Sequence, residues 1–155
     1  MMKRGLMIAF LVLVLDQFHK QFMLHYVGMI DGRIIEVTSF FNLVMVWNYG
    51  ISFGILNNGS SSNALILVVM ALAITAFLVL WLKKAENKYQ AYTIGMVIGG
   101  ALGNATDRII YGAVADFLDF HYKNSHYPAF NVADIAISVG VFLLVVESFF
   151  GIKKS

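Results

Sequence analysis

Between Ala64 and Leu82 the chain runs 19 residues without a charged side chain. A helix needs roughly 20 apolar residues to cross the hydrocarbon core of a bilayer, where every backbone N–H and C=O must be satisfied within the protein. Three further stretches reach that length. The first covers about residues 4–25 and is interrupted by Asp16 and Lys20. Another covers about 91–110, with Asp107 and Arg108 near its end. The last covers about 130–150, with Asp134 near its start and Glu147 near its end. The expected fold is a membrane all-α protein with four transmembrane helices, forming a single integral membrane domain over residues 1–155. Hydrophobic residues make up 59% of the chain and charged residues 13%, about half the charged share of an average soluble domain. A soluble protein of this size has no interior large enough for that apolar surface. The opening MMKRGLMIAFLVLVL looks like a signal sequence, but Asp-Gln-Phe-His-Lys follows it instead of a small-residue cleavage site, so an uncleaved first helix is expected.

The basic residues orient the spans. Lys3 and Arg4 precede the first helix, Lys83, Lys84 and Lys88 lie between the second and third, and Lys153 and Lys154 follow the fourth, which accounts for seven of the eleven Lys and Arg. Cytoplasmic loops carry such an excess, so both termini are expected inside and the segments of about 26–63 and 111–129 outside. Within the first outer segment, Arg33–Asn48 is rich in β-branched and aromatic residues and suggests strands on the membrane face, a β-cradle over about residues 28–56. Trp47, Tyr49 and Phe53 suit the lipid–water interface, and Asn57–Asn63 (NNGSSSN) a hydrated turn. Residues 115–127 mix aromatic and charged side chains and are expected to form a short interfacial helix.

Charged groups inside apolar spans are costly and face a partner or a wet cavity. Here they gather toward one face: Asp16 and Lys20 in the outer half of the first helix, Asn104, Asp107 and Arg108 at the outer end of the third, Asn131 and Asp134 at the outer start of the fourth, and Asp116 in the loop before it. Asn104 shares a helix face with Asp107 and Arg108, and Asp16 with Lys20. Gly95, Gly99, Gly100 and Gly103 give the third helix a small-residue stripe suited to close packing in lipid.

Asp116 and Asp134 are candidates for a carboxylate pair sharing one proton, one member taking a proton from water and the other supplying one. Spacing alone leaves them open between that role and a structural pairing. Asp16 with Lys20, and Asp107 with Arg108, also fit buried ion pairs; Asn104 and Asn131 fit interhelical hydrogen bonding as well as substrate contact; Asp119 fits an exposed loop carboxylate; His19 fits an interfacial position; Glu147 fits the cytoplasmic interface. The chain has no Cys, which excludes disulfides and thiol catalysis. His19, His25, His121 and His126 lack a metal-binding spacing, so no metal and no cofactor is expected, and no basic stripe points to nucleic acid.

At these residues the chain resembles the lipoprotein signal peptidases, or signal peptidase II. The resemblance runs nearly end to end: Asp16-Gln17-x-x-Lys20; Asn48-x-Gly50-x-x-Phe53; Gly99-Gly100-Ala101-Leu102-Gly103-Asn104-Ala105-Thr106-Asp107-Arg108, continuing to Gly112-x-Val114-x-Asp116-Phe117; and Phe130-Asn131-x-Ala133-Asp134. It implies an aspartyl endopeptidase of the bacterial cytoplasmic membrane with Asp116 and Asp134 as its catalytic pair. Asn104, Arg108 and Asn131 would support the pair and the substrate, while Asp16, Lys20, Asn48, Gly50 and Asp107 would maintain or line the site. The implied substrate is a diacylglyceryl-modified prolipoprotein, cut just before the lipidated Cys, and the implied inhibitor is globomycin. Membrane lipid is the expected surrounding, and a monomer the expected state. The chain departs from the family at His19, usually Thr or Ser, and in Tyr49–Gly54, commonly Thr-Gly-Ala-Ala-Phe-Ser; Asn48, Gly50 and Phe53 keep the family's residues. The alternative from another class is a small proton-coupled membrane transporter, which calls for midplane carboxylates reachable from both sides.

Overall fold

A computed structural model describes residues 1–26, 32–50 and 61–150. Phe53, residues 51–60 of the outer segment, and Lys153 and Lys154 lie outside the described residues. Four long helices form: α1 (Met2–Gln21), α2 (Ser61–Lys83), α3 (Lys88–Tyr111) and α4 (Val132–Phe150). One wider, π-helical turn, Phe22–Tyr26, extends α1. Among the described residues, three helical stretches are long and apolar enough to cross a membrane, Met2–His25, Asn63–Lys83 and Val132–Phe150. Large apolar side chains such as Phe10, Phe18, Leu65, Phe77 and Phe142 are exposed on them, as expected of helices whose solvent is lipid.

The central helix is α3, which packs against the other three. It starts at Asn87, whose side chain accepts a hydrogen bond from Gln90 N at 2.7 Å, and ends at Gly112 in the left-handed region with φ 75°. Gly95, Gly99 and Gly103, one every four residues, lie against α1; Gly100 lies against Ala133 of α4. A methyl group on Gly99 would approach the carbonyl of Ala9 to 2.5 Å, so the two backbones touch there. The expected small-residue stripe therefore serves packing on two sides of α3.

Gly5 of α1 sits against Leu82 of α2 and Ala91 of α3. At the same end Asn87 donates to Glu147 Oε1 of α4 at 2.8 Å, and the Tyr89 hydroxyl donates to the Leu143 carbonyl at 3.1 Å. Lys3, Arg4, Lys83, Lys84 and Lys88 thus share one end of the bundle, and Glu147 holds the first turn of α3 there. Asp16, Lys20, Asn104, Asp107, Arg108, Asn131 and Asp134 occupy the other end.

That second end is covered by a four-stranded antiparallel sheet in the order β1 (Ile34–Thr38), β2 (Phe41–Asn48), β3 (Val114–Tyr122) and β4 (Ser125–His126). Strands β1 and β2 of this small antiparallel sheet fall in the segment expected to be extended, but the expected interfacial helix at 115–127 is not formed: those residues form most of β3, a turn and β4. The reason lies in the two-residue period. Asp116, Leu118, Phe120 and Tyr122 alternate with Ala115, Phe117, Asp119 and His121, with the aromatics Phe117, Phe120 and Tyr122 suited to a strand. β2 offers β3 a ladder, with Val46 opposite Asp116, Trp47 opposite Ala115 and Asn48 opposite Val114. Met23, Met45, Ala115 and Phe117 are buried together where the sheet meets the end of α1. Asp119 is also unlike its expectation: it is buried, accepting from Asn42 Nδ2 at 3.0 Å and paired with His126 Nδ1 at 2.9 Å.

Gly103 couples the packing to the polar end. A Cβ there would lie 2.5 Å from Asp16 Oδ2 and 3.4 Å from Ala133 Cβ. Gly103→Ala is therefore expected to destabilise the protein by about 1–3 kcal/mol through overpacking. Thermal unfolding in detergent against the unsubstituted chain checks this; an unchanged midpoint would contradict the close contact.

Candidate active site

The innermost part of the polar cluster is an ion triad. Lys20 is 1% exposed, and its ammonium lies 2.9 Å from Asp16 Oδ2 and 2.9 Å from Asp107 Oδ2. Lys20 stands one turn after Asp16 on α1, which makes that pair local; Asp107 comes from α3. The other oxygen of each carboxylate, or a second contact, reaches backbone that a helix or strand start leaves unpaired. Asp16 Oδ1 accepts from Ala133 N at 2.9 Å in the first turn of α4. Asp107 Oδ2 accepts from Ala115 N at 3.1 Å at the head of β3, and Asp107 Oδ1 accepts from Gln17 Nε2 at 2.9 Å. The pairing of Asp107 is thus with Lys20 and not with its neighbour Arg108.

Arg108 turns outward from the triad. Its Nη2 donates to the Gly50 carbonyl at 2.7 Å, and its Nη1 makes a long contact of 3.4 Å with the Asn104 carbonyl. Gly50 N in turn donates to Asn48 Oδ1 at 3.1 Å. The end of β2 is pinned by these two bonds, and Asn48 Nδ2 is left to donate to Asp116 Oδ2 at 3.1 Å.

Asn131 joins the two candidate carboxylates. It caps α4: its Oδ1 accepts from Asp134 N at 3.0 Å, while its own N donates to Asp134 Oδ2 at 3.2 Å. This reciprocal arrangement is a capping box built from Asn and Asp. The Asn131 amide, fixed by that bond, donates to Asp116 Oδ1 at 2.6 Å. Asn104 completes the frame, its Nδ2 donating to Asp134 Oδ1 at 2.8 Å. Asp116 and Asp134, 18 positions apart in the chain, are therefore held on either side of one asparagine.

The environments of the two acids differ. Asp116 is 2% exposed on a strand. Burial, and next the negative charge of Asp134, push its carboxyl up to about 7, against the opposing pull of the Asn48 and Asn131 hydrogen bonds and the Lys20 charge. Asp134 is partly exposed in the first turn of α4. A carboxyl raised toward neutrality beside a second carboxylate is an arrangement that can supply a proton on one side of a reaction and take one on the other.

The site opens into a cleft of about 360 Å³ between α2, α3 and α4. Asn48, Asn104, Arg108 and Asp134 line its polar end; Leu67, Met70, Ala71 and Ile74 of α2 and Val97, Ala101 and Ile137 line the rest. All ten residues singled out in the sequence meet at this end of the bundle: Asn48, Asn104, Arg108 and Asp134 on the cleft, Gly50, Asp116 and Asn131 hydrogen-bonded to them, and Asp16, Lys20 and Asp107 behind. His19 is half-buried, its ring edge-on to Phe117 with centroids 5.9 Å apart. Two features were missed. Gln17 ties Asp107 to the Gly103 carbonyl, at 2.9 and 3.2 Å, although its place beside Asp16 in a helical pattern gave a hint. The Asn131–Asp134 spacing is also that of a capping box, which marks the start of α4.

A family model described as signal peptidase (SPase) II matches residues 8–150. Relatives named lipoprotein signal peptidase include one from Rhodopseudomonas palustris, 41% identical over 152 residues that cover 95% of this chain and 92% of the relative. Another, from Cupriavidus pinatubonensis, is 41% identical over 148 residues covering 94% and 82%. A solved structure described as a bacterial membrane enzyme superposes with a TM-score of 0.82 at 28% identity, covering 97% of this chain and 92% of that one. With the family model matched from the first helix to the last, and the polar cluster assembled from the residues that carry the resemblance, the chain belongs to the signal peptidase II family.

Proposed function

We propose that the chain is an aspartyl endopeptidase that removes signal peptides from diacylglyceryl-modified prolipoproteins, cutting just before the lipidated Cys, with Asp116 and Asp134 as the catalytic pair. The observation that carries this is Asn131: one side chain and its backbone hydrogen-bond both carboxylates, Asp116 at 2.6 Å and Asp134 at 3.2 Å. Asp134, at a helix N-terminus, takes the proton of the attacking water as its oxygen bonds to the scissile carbonyl carbon. Asp116 holds the shared proton and gives it to the carbonyl oxygen. Collapse of the tetrahedral intermediate breaks the C–N bond as Asp134 gives its proton to the leaving nitrogen and one hydroxyl of the intermediate returns its proton to Asp116, which restores the pair.

The membrane arrangement follows from the same parts. α3, packed among three apolar helices, is inferred to cross the bilayer with them, giving four spans in one domain. The basic end faces the cytoplasm with both termini, and the sheet and site face outward, in the cytoplasmic membrane of a bacterium. A signal peptide is an apolar helix, and the cleft between α2, α3 and α4 offers it, or the diacylglyceryl chains, an apolar wall that ends at the carboxylates. Binding energy along that wall fixes the register of the bond to be cut. The enzyme is expected to act as a monomer. Asn104, Arg108 and Asn131 support the pair and the substrate; Asn48, Gly50, Asp16, Lys20 and Asp107 hold the frame. A transporter finds no support, because the carboxylates collect at one end of the bundle.

Purified protein in detergent or lipid is expected to cleave a diacylglyceryl-Cys precursor, with EDTA leaving the rate unchanged and globomycin lowering it. Asp116→Asn and Asp134→Asn should each lower kcat on the order of 10³-fold or more while the unfolding midpoint holds; cleavage at wild-type rates by either variant would refute the assignment.

The pH profile tests the shared proton. As pH rises through about 7, the value to which Asp116 is pushed, the pair loses its proton and kcat should fall. Asn48 favours the ionised form of Asp116, so Asn48→Ala raises the carboxyl further and should move the falling limb to higher pH. Initial rates measured across neutral and alkaline pH decide it: a limb that stays in place, or moves down, contradicts the role of Asn48.

A further inference from the structure

We propose that Lys20 is a positioning residue for the reaction, holding the Asn104 amide in the one orientation that presents an N–H to Asp134. The inference rests on the peptidase reading above and extends it to a side chain that touches neither substrate nor catalytic carboxylate.

An ammonium has three N–H donors and no acceptor. Those of Lys20 have three acceptors within reach: Asp16 Oδ2 at 2.9 Å, Asp107 Oδ2 at 2.9 Å and Asn104 Oδ1 at 3.1 Å. A purely structural ion pair needs only the two carboxylates. The third donor goes to the amide that contacts the base. Asn104 Oδ1 also accepts from Asn131 Nδ2 at 3.2 Å, and Asn104 Nδ2 donates to Asp134 Oδ1 at 2.8 Å.

An asparagine amide turned by half a rotation keeps its shape and exchanges donor for acceptor. At Asn104 the turned form would set an NH2 against the Lys20 ammonium and an oxygen against the Asp134 carboxylate. Both contacts are repulsive, and the first involves a full charge in a site closed to water, where it weighs most. Asn131 cannot impose the orientation with comparable strength, since it offers a neutral donor.

The consequence appears during the reaction. Once Asp134 has taken the proton of water it becomes a donor, and a turned Asn104 would offer its oxygen to that proton. The acid form would be stabilised where it must instead be discharged to the leaving nitrogen. With Lys20 in place the oxygen of Asn104 stays committed, and the proton on Asp134 has the departing amine as its acceptor. Lys20 thus acts on kcat, through Asn104.

The test is a double-mutant cycle on a synthetic diacylglyceryl-Cys precursor peptide, using the full chain in detergent: wild type, Lys20→Met, Asn104→Ala and the double variant. Lys20→Met should lower kcat about ten- to a hundredfold with KM within about twofold of wild type. With rates taken on the acid side of the falling limb, where the effect of the Lys20 charge on Asp116 is not read, the same substitution in the Asn104→Ala background should cost less than about twofold more, because the amide it orients is gone. Should Lys20→Met not accumulate as folded protein, the cycle is run with Lys20→Met/Asp107→Asn, which keeps the wild-type net charge, against Asp107→Asn as reference. Equal losses with and without Asn104, or a loss carried by KM, overturn the role of Lys20 and leave the peptidase reading standing if wild type cleaves. A wild-type chain that does not cleave overturns both.

Discussion

The interaction on which the rest depends is the ammonium of Lys20 held between Asp16 and Asp107. A charged side chain within an apolar helix is costly without a partner, and this site brings three together. The cost is offset because each partner is used more than once. Asp16 reaches across to Ala133 N and Asp107 to Ala115 N. Those two amides open the elements that carry the candidate acids, α4 with Asp134 and β3 with Asp116. An ion cluster from α1 and α3 thereby fixes where a third helix and a strand begin, and so where two carboxyl groups end up.

Close backbone approach makes that reach possible. A short side chain such as Asp16 can reach from α1 to α4 only if the helices nearly touch, and Gly99 and Gly103 permit α1 and α3 to do so. In lipid, where apolar side chains gain nothing by leaving solvent, such contact comes from shape and from polar bonds. The polar end and the glycine face are therefore one design: replacing either loosens the other.

Much of this was legible in the sequence, and for a physical reason. Long uncharged runs such as Ala64–Leu82 leave a membrane chain one choice of local structure, and an ionisable residue inside such a run must find a partner, so Asp16, Lys20, Asn104 and Asp134 announce a shared site. The outer segments obey no such rule. Residues 115–127 have water or an interface available, and Asp116, Asp119 and aromatic neighbours fit a helix face as well as a strand face until β2 supplies the ladder. Asp119 was read as exposed because its partners, Asn42 and His126, are brought to it only by strand pairing. Arg108 was grouped with Asp107 by adjacency, yet neighbours on a helix point about 100° apart, and the two serve different contacts. The apolar spans, the polar cluster and its residues could be read; the strand register, which decides how Asn48 meets Asp116, could not.

Asn131 both begins α4 and grips Asp116. Neither acid has its setting without the other's element: β3 alone leaves Asp116 without its shortest hydrogen bond, and α4 alone leaves Asp134 facing no counterpart. In chain order the strand comes first, so the carboxylate on β3 gains its shortest bond only once residue 131 and the helix it caps are in place.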